Sequence, residues 1–259
     1  MIASGSEIAS EEAKALGRSR TLFHGVAVVT GASGGVGRAI AQTLARQSAR
    51  LHLVDRDAAA LAETATGVRL FSEPSEFAID LTSDEEMDSL VRSLEEIGRL
   101  DVLVHCAGVI RQGRMGDCPI EDLDIQYATN VRAPYALTKR LLPLLTASRG
   151  QIVFINSSAG LNAKRAEVGQ YAATKHALRA IADSLREEVN PKGVRVLSVY
   201  LGRTATPMQE AVFREEGKEY RPELLLQPED VASVVVHSLM LPRTAEVTDI
   251  TIRPMRNSY

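Results

Sequence analysis

The run Thr30-Gly31-Ala32-Ser33-Gly34-Gly35-Val36-Gly37 constrains this chain more than any other segment. It follows a short apolar run, Val26–Val29, and opens a stretch, Val36–Gln47, that reads as a helix. Strand, glycine turn and helix in that order present free backbone N–H groups and the positive end of a helix dipole to an anion. The glycines let the backbone come close to a pyrophosphate. A turn that only reverses the chain does not need glycine at Gly31, Gly35 and Gly37 together. With Ser33 and Val36, these glycines are the expected phosphate contacts.

The rest of the chain keeps the same rhythm. Strands are expected at Leu51–Val54, Phe77–Ile79, Val102–His105, Ile152–Ile155, Val194–Val199 and Val247–Ile252. Helices are expected at Ala58–Thr64, Ser83–Ile97, Gln170–Val189 and Glu229–Met240, and over a long region from Ile120 to Leu145 with Pro134 as a kink or boundary. Nearly continuous apolar strands imply burial on both faces. Alternation with helices implies an α/β fold: one Rossmann domain, a mostly parallel, doubly wound sheet of about seven strands with helices on both faces. Residues 23–259 are expected to form that domain. Residues 1–22 are read as an N-terminal extension, with a helix over Ile8–Leu16 capped by Ser10.

An acidic residue about 20 positions beyond the glycine turn, ending the second strand, is the next expected element of a dinucleotide site. Asp55 stands there. Its carboxylate can accept hydrogen bonds from ribose hydroxyls and would repel a 2′-phosphate, which favours NAD(H). Arg38 and Arg56 lie near it and keep NADP(H) as the alternative. Asp80, beside Leu81, is a candidate for the adenine edge; the competing reading is an acid at the start of the helix after Ser83.

Tyr171-Ala172-Ala173-Thr174-Lys175 places a phenol and an ammonium four residues apart, on one helix face. A neighbouring cation favours the phenolate, so the pair can exchange a proton with a carbonyl or alcohol oxygen.

Taken together, Thr30-Gly31-x-x-x-Gly35-x-Gly37 and Tyr171-x-x-x-Lys175 resemble the short-chain dehydrogenase/reductase family, from about Val26 to Ile252. The resemblance implies direct hydride transfer between a nicotinamide and an alcohol or carbonyl carbon. In it Tyr171 is the proton donor or acceptor, a serine positions the substrate oxygen, and Lys175 lowers the Tyr171 pKa and holds the nicotinamide ribose. Asn130, in Ala128-Thr129-Asn130-Val131, carries a proton relay. Ser157 is chosen from Ser157-x-x-Gly160, whereas the family's usual spacing to the tyrosine points to Ser158. Two departures stand out. His105-Cys106-Ala107-Gly108 replaces a motif with two asparagines, so Cys106 loses a bracing amide, while Ala107 and Gly108 keep the close approach to cofactor. Leu201-Gly202-x-x-x-Thr206 lacks the usual proline, yet Gly202 and Thr206 remain for the nicotinamide amide. The family also implies a lid within about residues 203–226, with Met208, Ala211, Val212 and Phe213 facing substrate and the charged residues forming a solvated face. Lys164 and Arg165 could meet an acidic substrate. The rival reading is a dinucleotide-binding sensor without turnover.

Composition narrows the partners. Thirty Lys plus Arg against 33 Asp plus Glu give a net charge of −3, without the basic excess of a nucleic-acid binder. Two cysteines, Cys106 and Cys118, have no metal-ligand spacing and suit a reducing cytoplasm; both are read as packing residues, and no metal is expected. No apolar run approaches the ~20 residues of a membrane span, and residues 1–20 lack a signal-peptide core. The expectation is a cytoplasmic enzyme acting on a small alcohol or carbonyl compound. The family further implies a homo-oligomer, tetramer or dimer, which monomeric light scattering would refute.

Overall fold

Seven short runs, most of them rich in valine, isoleucine and leucine, form seven strands. They are β1 Val26–Thr30, β2 Arg50–Asp55, β3 Ser75–Ala78, β4 Val102–His105, β5 Gln151–Ser157, β6 Arg195–Leu201 and β7 Asp249–Ile252. In the computed structural model, which describes residues 25–47 and 49–256, they make one sheet in the order β3-β2-β1-β4-β5-β6-β7. Every neighbouring pair is parallel. The N-terminal extension expected over residues 1–22 lies outside the described residues.

Both faces of the sheet are covered, by alternation within the strands. Ala27 and Val29 of β1 join the core cluster containing Ile40, Leu44, Leu53 and Val235. Val26 and Val28 join the opposite one, with Leu90, Leu141, Phe154 and Leu178. The period of two sends successive side chains to opposite faces, as a doubly wound sheet requires. The covering helices are α1 Gly35–Ala45, α2 Ala58–Val68, α3 Asp84–Ile97, α4 Ile120–Tyr127, α5 Ala133–Ala147, α6 Gly169–Val189, α7 Pro207–Glu215 and α8 Pro228–Met240.

The long helical region after Ile120 is continuous to Ala147, with its boundary one residue before Pro134. A π-helical turn, Ala128–Arg132, joins α4 to α5 and carries Asn130. Pro134 sits in the first turn of α5, directly after the π-helical turn, at the boundary expected there. Strand order reverses between the parallel neighbours β1 and β4, from which later strands are added toward opposite edges of the sheet. The crevice beyond their carboxyl ends is where an open α/β sheet binds ligands.

Candidate active site

The glycine turn is shaped by close approaches. Gly31 has φ +66°, and a Cβ there would lie 2.7 Å from the Ala107 nitrogen. Gly35 has φ +51°, with the Thr206 methyl 2.8 Å from where its Cβ would be. At the N-terminus of α1 the cap is Gly34, with no side-chain cap bond and no acid in the first turn. The first N–H groups are therefore left for an outside acceptor. Thr30 Oγ1 accepts from the nitrogens of Cys106 and Ala107 at 3.1 and 3.2 Å, tying the end of β1 to the end of β4. That hydroxyl braces the strands where Cys106 has no amide to do so. A cradle with open N–H groups and no room for side chains fits the pyrophosphate of a dinucleotide.

A cleft of about 1460 Å³ runs along the carboxyl ends of the strands. Gly31, Ser33, Gly35 and Val36 line it, as do Asp55, Asp80, Leu81, Ala107 and Gly108. On the far side it is lined by Ser157, Tyr171, Lys175, Gly202 and Thr206. Two expected residues, Gly37 and Asn130, do not line it. Gly37 lets α1 pass against the Gly31 carbonyl. Asn130 accepts from Val109 N at 2.8 Å and donates to the Val109 carbonyl at 2.9 Å and to Thr174 Oγ1 at 3.1 Å. It clamps the loop after β4 to α6.

At the nucleotide end, Asp55 Oδ2 accepts from Ser33 N at 3.1 Å and Oδ1 accepts from Asp57 N at 3.2 Å. Arg38 donates to the Ser33 carbonyl and to Glu63. Asp80 accepts from the nitrogen and hydroxyl of Thr82, and those bonds hold its carboxyl below the usual range. Ser83, not Asp80, caps α3. Gly202 is tight against Arg253 and Pro254 rather than against the cleft alone. Thr206 caps α7 by accepting from Gln209 N at 3.1 Å.

Across the cleft, β5 delivers Ser157 and α6 delivers Tyr171 and Lys175. Ser157 is half-buried and close enough to the Tyr171 hydroxyl to draw its pKa down, whereas Ser158 is exposed; both line the cleft. Gly160 makes this possible: a Cβ there would lie 2.8 Å from the Lys175 carbonyl oxygen. Lys175 Nζ donates to the Ile155 carbonyl at 3.2 Å and sits 5.7 Å from the Tyr171 ring centre.

The expected lowering of the Tyr171 pKa by Lys175 is corrected here. Burial pushes the Tyr171 phenol up to about 12, against the pull of the Ser157 bond. Burial also pushes Lys175 down to about 8. Desolvation exceeds attraction because the ammonium is buried and bonded to a carbonyl instead of the phenol oxygen. The thiol of Cys106 is likewise pushed up to about 12, which leaves it an inert packing group. Among the described residues no cluster of three His, Cys, Asp or Glu could hold a metal.

A buried lysine whose folded pKa lies below its unfolded value of about 10.4 destabilises the fold wherever it is charged. Lys175→Met is therefore expected to raise the melting temperature at pH 7. The gain should shrink as pH rises from about 8 to 10, because there the unfolded chain binds a proton that the native chain has released. Thermal melts across that range check both the sign and the window.

The lid also departs from expectation. Its charged residues are not all a solvated face: Glu216 is 8% exposed and pairs with Arg165 at 2.6 Å, Arg203 at 2.9 Å and Lys218 at 3.1 Å. Burial opposes its ionisation, but bonds from Arg203 and Lys218 and the charges of Arg203 and Arg165 hold its carboxyl below the usual range. The roles of Thr30, Arg203 and Glu216 were not legible, since Thr30 meets partners more than 70 positions away and the Glu216 cluster forms only when the lid folds against Arg165.

The family model described as short chain dehydrogenase matches residues 25–217. An uncharacterized oxidoreductase of Staphylococcus epidermidis is 33% identical over 232 residues, covering 89% of this chain and 97% of the relative. Among solved structures, an alcohol dehydrogenase from the archaeon Thermococcus sibiricus, complexed with 5-hydroxy-NADP, matches with TM-score 0.81 and 27% identity, over 91% of this chain and all of that one. Pseudomonas aeruginosa RhlG in an NADP active-site complex matches with TM-score 0.78 and 28% identity, over 90% and 96%.

Proposed function

The chain belongs to the short chain dehydrogenase family, and on that premise we propose that it interconverts a secondary alcohol and a ketone with a nicotinamide cofactor. One observation carries the reading: Ser157, Tyr171 and Lys175 line the same cleft as the glycine turn. The cofactor, when bound, supplies or takes up the hydride. Tyr171 exchanges the proton with the substrate oxygen, and Ser157, on the same cleft wall, orients the oxygen and stabilises charge on it. Lys175 holds the nicotinamide ribose and adds positive charge beside the phenol. Asn130 keeps α6 in register with the loop after β4.

For the cofactor we favour NAD(H). Asp55 lines the nucleotide end with its carboxylate anchored by two backbone N–H groups, and a fixed negative charge there repels a 2′-phosphate. Several similar structures carry NADP, and Arg38 and Arg56 also line the cleft, so the comparison must be direct. Calorimetric titration should show tighter binding of NADH than NADPH. Asp55→Ala should improve NADPH binding by about tenfold, a change of ~1.4 kcal/mol. Tighter NADPH binding by the unaltered chain would refute the preference. Binding of neither would refute the enzymatic reading.

A further inference from the structure

Charge is distributed unevenly along the cleft. Its nucleotide end mixes Asp55, Asp57 and Asp80 with Arg38 and Arg56. Outside the nucleotide end, the cationic lining residues besides Lys175 are Arg111, Lys164, Arg165, Arg203 and, packed beside Gly202, Arg253. Among the described residues, the one acidic lining residue outside the nucleotide end is Glu229, on the exposed first turn of α8.

The four cations nearest the substrate loops, Arg111, Lys164, Arg165 and Arg203, divide into two pairs. Arg165 and Arg203 are fixed by Glu216, behind the cleft wall, and Lys218 converges on the same carboxylate. Gln112 links Arg165 to Glu215, accepting from the first at 3.0 Å and donating to the second at 3.2 Å. Arg203 also stacks on Phe213, 4.6 Å from the ring centre. These two are structural cations that hold the substrate loops and leave the local field positive. The other two are not committed. Lys164 is exposed and has no ion pair among the described residues, and the Arg111 guanidinium has a loose 3.9 Å ion pair with Asp122 and one bond, at 3.2 Å, to the neighbouring Ile110 carbonyl. Beside them the wall is apolar: Ile110, Val168, Met208 and Val212. A cleft lined by one sign of charge concentrates ligands of the other sign.

We propose that the substrate of this chain is an amphipathic anion, an apolar hydroxy or oxo acid, whose acid group is taken by Lys164 and Arg111 while its alcohol or ketone faces Ser157 and Tyr171. The inference rests on the oxidoreductase reading and deepens it to a substrate class. The apolar chain of the ligand packs on Val168, Met208 and Val212. The pre-paired Arg165 and Arg203 supply field without having to be freed.

The test is calorimetric titration of the full chain, alone and saturated with NADH, with octanoate, methyl octanoate and octyl phosphate. Octanoate should bind about tenfold more tightly than its ester, as a charge-assisted contact implies. The double variant Arg111→Gln, Lys164→Gln should bring the ratio close to one. Octyl phosphate binding more tightly than octanoate would keep the anionic assignment and make the group a phosphate. The assignment is overturned if neither anion outbinds the ester, or if the double variant keeps the preference. Because the ratio is read with and without NADH, its failure is distinguishable from a failure of cofactor binding or of turnover.

Discussion

Replacing Tyr171 by Phe is expected to lower kcat by about 10³-fold, the middle of the range for losing a positioned proton donor. The dissociation constant for the nicotinamide cofactor should stay within about twofold, since the lost hydroxyl contributes no uniform binding energy. The substitution removes one oxygen and keeps the ring, whose centre lies 5.7 Å from the Lys175 ammonium. Lys175 keeps its bond to the Ile155 carbonyl, and Ser157 keeps its bond from Ala159 N at 3.1 Å. Loss of turnover with intact binding would thus report chemistry and not collapse. The pH profile adds a second readout. Burial holds the free phenol at about 12, and positive charge brought beside it lowers that value. Alcohol oxidation by the unaltered chain should therefore rise with pH to an inflection below 12, and Tyr171→Phe should lose that inflection. Single-turnover measurements at saturating cofactor decide the matter. Undiminished turnover in Tyr171→Phe would move the proton-exchanging role away from the phenol and sink the proposed mechanism.

What could be read from the sequence, and what could not, follows from the range of the interactions involved. The strands β1 and β4 are buried throughout and β5 at all but its last residue, so their apolar runs announce them; the apolar run Val102–His105 coincides with β4. The edge strand β3 is largely exposed, and its apolar signal at Phe77–Ile79 was displaced from the observed Ser75–Ala78. Glycine turn, Tyr171 and Lys175 are local motifs, legible because their geometry depends on neighbours in the chain. Ser157 against Ser158 was not decidable from spacing, because the choice depends on how β5 ends and how Gly160 admits the Lys175 carbonyl. Protonation was the least legible. The Tyr171–Lys175 spacing implies attraction, but only the fold reveals that both groups are desolvated. Long-range contacts were invisible for the same reason: Thr30 meets Cys106 and Ala107 from more than 70 positions away, and Arg165 reaches Glu216 from another loop.

Three glycines of the phosphate-binding turn should respond very differently to the same methyl group. At Gly37 a Cβ would lie 2.0 Å from the Gly31 carbonyl oxygen and 2.7 Å from its carbon, both backbone atoms that cannot rotate away. At Gly31 it would lie 2.7 to 2.9 Å from the backbone of Cys106 and Ala107, with a left-handed φ of +66° as a second cost. At Gly34, φ is −164° and nothing stands within 4 Å. Gly34→Ala should therefore change stability by no more than about 0.5 kcal/mol, as an open surface position does. Gly37→Ala should cost about 3 kcal/mol through overpacking, and Gly31→Ala about 4 kcal/mol, left-handed strain included. For a chain of this size those losses lower the melting temperature by roughly 10 °C. The functional loss should be larger still, because relief of either clash moves the N–H groups that face the cleft. NADH affinity should fall by about 100-fold or more in both variants, on the order of 3 kcal/mol, and stay near the unaltered value in Gly34→Ala. Melting curves and NADH titrations of the three variants test this as a set. Near-normal melting and binding in Gly37→Ala would mean that α1 does not press on the Gly31 carbonyl, and the assignment of this turn as the anion cradle would fall with it.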